Sequence, residues 1–191
     1  MIKKNQNGFT LVELIITIVI VSILSLIAVY AYEVYVEEAK ATEIYTNVDA
    51  INTAQNIFYL ENGRYASRLS DLSDTESIGY YFTLPGNTGH RVTKDFIYSV
   101  STDANGTFFK IHVGKLAEPM KPPTSAPIPP GVSGGYATGY KPRYSIEFQR
   151  KKGEQNLSYL THRTFPIASF AEKMAVGRII KKVTGETIST I

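Results

Sequence analysis

The sequence lacks cysteine and tryptophan and carries little net charge. Without cysteine the chain has no disulfide framework, no thiol nucleophile and no cysteine-based zinc site, so packing and sheet pairing must hold any folded part together. The formal net charge of +3 over 191 residues is too small to indicate nucleic-acid binding. With 19% charged and 43% hydrophobic residues, the composition is that of a globular protein.

Recognisable catalytic and cofactor motifs are missing as well. The chain contains no G-x-S-x-G, Walker A or G-x-G-x-x-G sequence. His90, His112 and His162 are widely spaced, and His112 alternates with apolar neighbours, which favours a strand surface over a metal ligand. Asp103–Gly106 resembles the beginning of a calcium-binding loop. The sequence does not have the ligand spacing of an EF-hand, however, and a hairpin turn explains these residues better. We therefore expect no enzyme, no catalytic residue, no metal site and no cofactor.

A long apolar run near the N-terminus is the strongest feature that is present. Leu14–Tyr32 contains 19 residues without an acidic or basic side chain, and between Phe9 and Tyr32 Glu13 is the only such residue. The 24 residues from Phe9 would form a helix of about 36 Å, enough to cross a hydrocarbon core of about 30 Å. Lys3 and Lys4 should hold the N-terminus in the cytoplasm, with the remainder facing outward.

Three interpretations of this segment differ in where the chain is cut. A signal anchor is not cut, and leaves Glu13 without a role. A secretory signal peptide could be cut after Ala31, because Val29 and Ala31 suit the −3 and −1 positions. The apolar run is long for that purpose and contains an acid. The third interpretation, a cut between Gly8 and Phe9 that retains the whole apolar run, is the one we favour.

The stretch GFTLVEL (Gly8–Leu14) after a short basic leader resembles the prepilin signature of type IV pilins, type II secretion pseudopilins and competence pseudopilins. The resemblance implies that a membrane-embedded prepilin peptidase cuts after Gly8 and methylates the new amine of Phe9. It also implies that Glu13 of one subunit meets the Phe9 amine of a neighbour. A carboxylate at membrane depth costs roughly 2.5–3.5 kcal/mol, so it usually has a partner and a function. The four-residue offset implies an axial step of about 6 Å between subunits.

The apolar run is expected to continue into a helix that leaves the membrane. Glu33–Asn62 contains no proline or glycine, and Gly63 would end the helix. One helix from Phe9 to Asn62 would be about 80 Å long, its outer half packed on a domain. Apolar or small residues recur along that half at helical spacing, with Gln55 as the polar exception: Ala41, Ile44, Val48, Ile51 and Phe58.

Strand signals follow the helix. Phe96–Thr102 and Thr107–Val113 flank an Asn-Gly turn, and Tyr144, Ile146 and Phe148 alternate with polar residues before a turn towards Leu157–Thr161. The predicted fold class is α+β: a long N-terminal helix packed on a four-stranded antiparallel sheet. The resemblance implies the same pilin-like arrangement.

Three other segments are less determined. Residues 58–72 resemble a pilin feature, N-G-x-Y-P, with Ala66 in place of the proline. The stretch 119–142 holds seven of the nine prolines and should form an extended loop; a connecting insertion is favoured over a surface that contacts neighbours or a host. The tail from Ala168 to Val183 fits either a short helix or a final strand.

The predicted organisation is a cleaved leader (1–8), a transmembrane and assembly helix (9–32) and an exported globular domain that includes the outer half of the helix (33–191). The resemblance implies a structural subunit of a type IV pilus-like filament. Its expected partners are other subunits, prepilin peptidase, an inner-membrane assembly platform and membrane lipid. Nucleic acid is not expected, since the short basic run 150–152 fits a solvated turn; a competence role would reopen that question.

The resemblance leaves the destination of the subunit open. The precursor is expected in the inner membrane as a single-pass protein, and the assembled subunit in an extracellular pilus or a periplasmic pseudopilus. A type II secretion pseudopilin is the first alternative, but the major subunit of that system has a tryptophan-containing motif, and this chain has no tryptophan. A membrane-anchored binding protein is the alternative from another class.

Overall fold

The computed structural model of the chain describes residues 9–73, 75, 78, 80–83, 89–117 and 142–187. In chain order the elements are helix α1 (Leu11–Asn62), a 3₁₀ turn (Leu69–Asp71), strands β1 (Tyr80–Thr83), β2 (Gly89–Val92), β3 (Phe96–Thr102), β4 (Phe108–Leu116), β5 (Pro142–Lys151) and β6 (Ser158–Thr164), and helix α2 (Phe170–Thr184). The predicted leader 1–8 lies outside the described residues. So does the predicted loop 119–142, except Pro142, which begins β5.

Helix α1 is a single helix of 52 residues, as predicted, although it begins at Leu11 instead of Phe9. Thr10 is the N-cap, so Phe9 and Thr10 precede the first turn. Gly63 ends the helix in the left-handed conformation (φ 70°), and its N–H donates to the Tyr59 carbonyl at 2.8 Å. The outer half buries the predicted stripe, including Gln55, and adds Ala54 to it, whereas Phe58 is only partly buried.

The sheet has six antiparallel strands in the order β1-β2-β3-β4-β5-β6, not the predicted four. The two additional strands, β1 and β2, have four residues each. Such short strands show too few alternations for a period of two to be recognised in the sequence. The predicted strands are all present, with β4 extended to Leu116 and β6 to Thr164, so the α+β pilin-like class is confirmed.

One face of strands β3, β4 and β5 packs on the outer half of α1. Register explains why alternate residues share this face: Tyr98 pairs with Val113, which pairs with Ile146 on the next strand. The inward residues of β3, β4 and β5 are all buried in one core with the α1 stripe: Phe96, Tyr98, Val100, Phe109, Ile111, Val113, Tyr144, Ile146 and Phe148.

The tail forms a helix, α2, which resolves the alternative left open by the sequence. Ser169 accepts a hydrogen bond from the Glu172 N–H at 3.2 Å, and the Glu172 carboxylate accepts one from the Ser169 N–H at 2.7 Å. This reciprocal pair is a capping box, and Gly185 (φ 79°) ends the helix. Its apolar side contributes Ala175, Val176, Ile179 and Ile180 to the core.

Helices α1 and α2 lie side by side and run in the same direction. Phe170 contacts Tyr30 (ring centroids 6.2 Å apart), and two turns later Arg178 binds Glu38 at 2.8 Å. Both pairs are separated by 140 residues in sequence, so the two helices keep a constant register along this seam. The first turn of α2 therefore lies at the end of the apolar run of α1.

Candidate assembly and processing site

The N-terminal end of α1 is organised by Thr10 and Glu13. The Thr10 backbone N–H and hydroxyl donate to Glu13 Oε2 at 3.0 and 2.8 Å, and the Glu13 N–H donates to the Thr10 hydroxyl oxygen at 3.2 Å. This is a second capping box, formed by a Thr-x-x-Glu sequence. Glu13 thus has a partner inside its own chain, a role that sequence reasoning missed although the spacing was readable.

Phe9 stands immediately before this cap and is 87% exposed. Gly8 lies outside the described residues, so of the two residues that flank the predicted scissile bond the structure describes Phe9 alone. Both Thr10 donors bind the same oxygen, Oε2, and Glu13 Oε1 accepts no hydrogen bond from the described part of the chain. That oxygen is available to a donor from another chain.

The first part of α1 exposes a continuous apolar surface. Residues 11–32 are exposed on every side of the helix, and α1 is the one helix in the described ranges that is long and apolar enough to cross a membrane. Three hydroxyl groups inside the run are satisfied by backbone carbonyls of the same helix: Thr17 to Leu14, Ser22 to Ile18 and Ser25 to Val21. The run therefore suits an apolar medium or the surfaces of similar helices.

A buried group of charges lies where the apolar run ends, and no sequence pattern pointed to it. Lys115 on β4 contacts Glu37 of α1 and, at 3.1 Å, Glu172 of α2. Arg143 on β5 binds the second oxygen of Glu172 at 2.9 Å, and Lys40 binds Glu37 at 3.1 Å. Lys115 and Glu172 are only 4% and 3% exposed, so this network joins four elements with little solvent.

The network sets the ionisation of Glu172. Burial opposes the charged form, but hydrogen bonds from the Ser169 N–H and Arg143 and the charge of Lys115 outweigh it, so the pKa of Glu172 is lowered. A groove of about 400 Å³ opens beside these residues between α1, β4 and α2. Its cations are already matched by carboxylates, which favours a structural role over anion binding.

Other charged candidates from the sequence serve the fold. Asp103 accepts bonds from the Thr107 N–H (2.6 Å) and hydroxyl (2.7 Å), so both carboxylate oxygens are used inside the hairpin turn. His112 lies on the face of β4 opposite α1, 3.2 Å from Glu147. Arg150 binds the Asn52 side chain at 2.9 Å. Across the described ranges, no group of three or more His, Asp or Glu residues is arranged to hold a metal ion.

Comparison with known families finds a match at the same N-terminal segment. Residues 3–29 match the prokaryotic N-terminal methylation motif. The matched stretch covers the basic leader, the Gly8-Phe9 junction, Glu13 and most of the apolar run.

Curated relatives agree with that motif. The type IV major pilin protein PilA of Myxococcus xanthus is 37% identical over 70 residues, 37% of this chain and 32% of PilA. A fimbrial protein of Moraxella nonliquefaciens is 39% identical over 74 residues, 39% of this chain and 46% of that protein. Fimbrial protein EcpC of Eikenella corrodens is 31% identical over 107 residues, 56% of this chain and 61% of EcpC.

These matches span between a third and three fifths of the relatives' own lengths. No solved structure matches the chain. The methylation motif, the pilin-like α+β fold and the similarity to pilins and fimbrial proteins together support assignment of the chain to the type IV pilin superfamily.

Proposed function

We propose that this protein is a non-enzymatic structural subunit of a type IV pilus-like filament. The observation that carries the proposal is the joint presence of the methylation motif and an α1 helix whose first half is apolar and exposed on all sides. Relatives with the same N-terminus are named as pilins and fimbrial proteins. An apolar helix surface of this kind needs lipid around the single subunit and other helices inside an assembly.

The precursor is proposed to be a substrate of prepilin peptidase. Cleavage after Gly8 removes the leader 1–8 and creates an amine on Phe9, which the same enzyme methylates. The extended backbone at Thr10 (φ −79°, ψ 151°) and the 87% exposure of Phe9 support the proposal, because a protease needs an accessible, non-helical chain at the scissile bond. Gly8 adds no side chain that would hinder the approach of the enzyme.

Assembly is proposed to pair Glu13 of one subunit with the Phe9 amine of a neighbour. Glu13 Oε2 already serves the Thr10 cap, so the approaching amine would use Oε1. The carboxylate would then hold its own helix terminus and the adjacent subunit together. The filament partners are other copies of this chain or related subunits. The inner-membrane assembly platform would move each subunit from the membrane into the filament.

The proposed topology places residues 9–32 in the inner membrane, with the N-terminus in the cytoplasm and residues 33–191 outside. Lys3 and Lys4 support this orientation through the positive-inside rule. We favour an extracellular pilus over a secretion pseudopilus, because the chain lacks tryptophan and so lacks the tryptophan-containing motif of the major pseudopilin.

Processing is tested by the intact mass of the protein extracted from membranes. We expect loss of residues 1–8 and a gain of one methyl group. A mature N-terminus at Tyr32 would instead mean a secretory signal peptide, and the filament proposal would fail. Gly8→Leu should leave the full-length precursor in the membrane, whereas the control Asn7→Ala, one position earlier in the leader, should still be cut.

The destination is tested by imaging cells with and without the gene. Surface filaments that disappear with the gene support a pilus. Loss of secreted proteins without loss of filaments would support the pseudopilus alternative instead.

A further inference from the structure

Two large apolar side chains are exposed at the base of the globular domain. Ile167, in the β6–α2 connection, is 46% exposed, and Phe170, in the first turn of α2, is 60% exposed. Neither belongs to the domain core, whereas the buried side of α2 does. Exposed apolar groups beside a membrane-spanning segment call for an apolar neighbour.

The position of Phe170 along α1 indicates which neighbour. Its ring lies 6.2 Å from that of Tyr30. From Leu11, where α1 begins, to Tyr30 the helix rises about 29 Å, close to the roughly 30 Å of a hydrocarbon core. If the span begins at the start of α1, Tyr30 and Phe170 both lie at the outer boundary of the bilayer. Tyrosines are enriched at such boundaries, and Tyr32 and Tyr35 are exposed next to Tyr30.

The connection that carries Ile167 is held in shape by polar contacts. The Ala168 N–H donates to the Phe165 carbonyl at 2.9 Å, which closes a turn, and the Phe165 N–H donates to the Arg143 carbonyl at 3.0 Å. Arg143 also donates to the Ile167 carbonyl at 3.3 Å. Through Arg143 the turn is tied to the buried Glu172, so the two apolar side chains are presented by a fixed support.

The charges around these residues suit a lipid headgroup region. Arg163 and Lys173 are exposed before and after the connection, whereas the partly exposed Arg143 is already paired with Glu172. Glu33 is an exposed acid at the same level of α1. Cationic side chains near apolar anchors add attraction to anionic lipid.

We propose that Ile167 and Phe170 form a second membrane contact, by which the base of the domain docks on the outer headgroup boundary of the bilayer around the unassembled subunit. The contact would fix the tilt of the domain relative to its membrane helix before assembly. This inference rests on the proposed membrane span, and a second copy of the chain is the competing occupant.

The test uses the full chain in liposomes of phosphatidylethanolamine and phosphatidylglycerol. Because the chain has no cysteine, each engineered cysteine is the only thiol to be labelled. An environment-sensitive fluorophore is placed by Ile167→Cys, by Ala104→Cys in the exposed β3–β4 turn, and by Val21→Cys within the apolar run. Quenching is measured with nitroxide lipids and with an aqueous quencher.

The proposal expects the label at residue 167 to be quenched by lipid nitroxides near the headgroup and protected from the aqueous quencher, unlike the label at residue 104. Adding Phe170→Ser should reduce lipid quenching at residue 167 while the thermal unfolding midpoint stays unchanged. Equal aqueous quenching at residues 167 and 104 would overturn the proposal. So would lipid protection at residue 167 that vanishes on dilution to one copy per vesicle, since the occupant would then be a second copy.

The label at residue 21 separates this inference from the proposed function. If residue 21 is shielded by lipid and residue 167 is not, only the second contact is lost. If residue 21 is itself open to water, the membrane span fails, and the inference fails with it.

Discussion

Glu13 has one observed role, at the start of helix α1, and one proposed role, in the formation of a filament. Its carboxylate closes the capping box with Thr10, and the same group is the proposed partner of a neighbour's amine. The two roles differ in what they require, because a cap needs only an acceptor whereas attraction to an ammonium needs a charge.

Substitutions at Glu13 should separate these roles. Glu13→Gln keeps an acceptor for the cap but loses the charge, and Glu13→Val loses both. We expect both variants to insert and to be cut after Gly8, and both to assemble poorly. Filaments or cross-linked subunits are counted in cells with equal membrane levels of each variant. Normal assembly of the Gln variant alone would assign the role to hydrogen bonding. Normal assembly of both variants would show that the Glu13 carboxylate has no role in assembly.

Gln55 explains a departure from the pilin-like pattern. Its side chain is fully buried, donates to the Ala66 carbonyl and accepts from the Ala66 N–H, both at 2.9 Å. Ala66 stands where the resembling feature has proline, and a proline has no N–H to donate. The buried Gln55 therefore accepts a hydrogen bond from the N–H that a proline at position 66 would lack.

A double-mutant cycle should reveal this contact. Gln55→Met leaves both peptide groups of Ala66 buried without a partner, which costs roughly 1–3 kcal/mol of unfolding free energy for each group. Ala66→Pro removes one of those groups, so Gln55→Met should cost less in the Pro background. Chemical denaturation of the detergent-solubilised chain measures the coupling. Strictly additive costs would mean that the N–H bond contributes nothing.

At the scale of the elements, α2 is attached by one buried and one exposed set of charges. Glu172 in its first turn is buried between Lys115 and Arg143, whereas Arg178, two turns later, forms a pair with Glu38 in which both side chains are largely exposed. The two sites share a helix and differ in solvent access, which makes them a matched comparison.

Glu172→Gln should be far more costly than Arg178→Ala. Removing the charge of the buried carboxylate leaves Arg143 without its ion-pair partner and Lys115 with Glu37 alone, at about 3–5 kcal/mol of unfolding free energy. Loss of the exposed pair should cost less than about 1 kcal/mol, because water screens it. Thermal unfolding by circular dichroism compares the variants. Similar losses in both would show that the network is not decisive for the attachment of α2.

Some elements could be predicted from the sequence because their signals are local. Three signals determine the structure of residues close to them in sequence: the apolar run, the glycine that ends α1 and the Asn-Gly pair of the hairpin. Helix α2 is ambiguous in the sequence although Ser169-x-x-Glu172 is a capping box, since mixed polar and apolar residues obscure the periodicity. The Glu37–Lys115–Glu172 network could not be predicted, because nothing local in a sequence indicates which distant charges meet.

For the whole molecule, acid should weaken the fold. Burial and the nearby His112 lower the pKa of His90 from 6.5 to about 4, so its neutral form is favoured in the folded state. That stability is complete above pH 6.5 and is lost as the pH falls from 6.5 towards 4. The lowered pKa of Glu172 acts in the same direction, with stability present above 4.5 and lost below it.

Between pH 7.5 and pH 5 the contribution of His90 should fall by about 2 kcal/mol, as one pKa unit corresponds to about 1.4 kcal/mol. Unfolding free energies of the solubilised chain at the two pH values measure this loss. His90→Gln should reduce the dependence over that range and leave the loss below pH 4.5. An unchanged slope in the variant would contradict the assignment to His90.

The parallel seam between α1 and α2 has a mechanical consequence. A pull along the axis of α1 loads the contacts from Tyr30–Phe170 to Glu38–Arg178 in shear, because the two helices run side by side in constant register. Contacts loaded in shear share the force and must give way together, whereas contacts that are peeled break one after another. A subunit under tension would therefore keep its C-terminal helix seated until the whole seam slides.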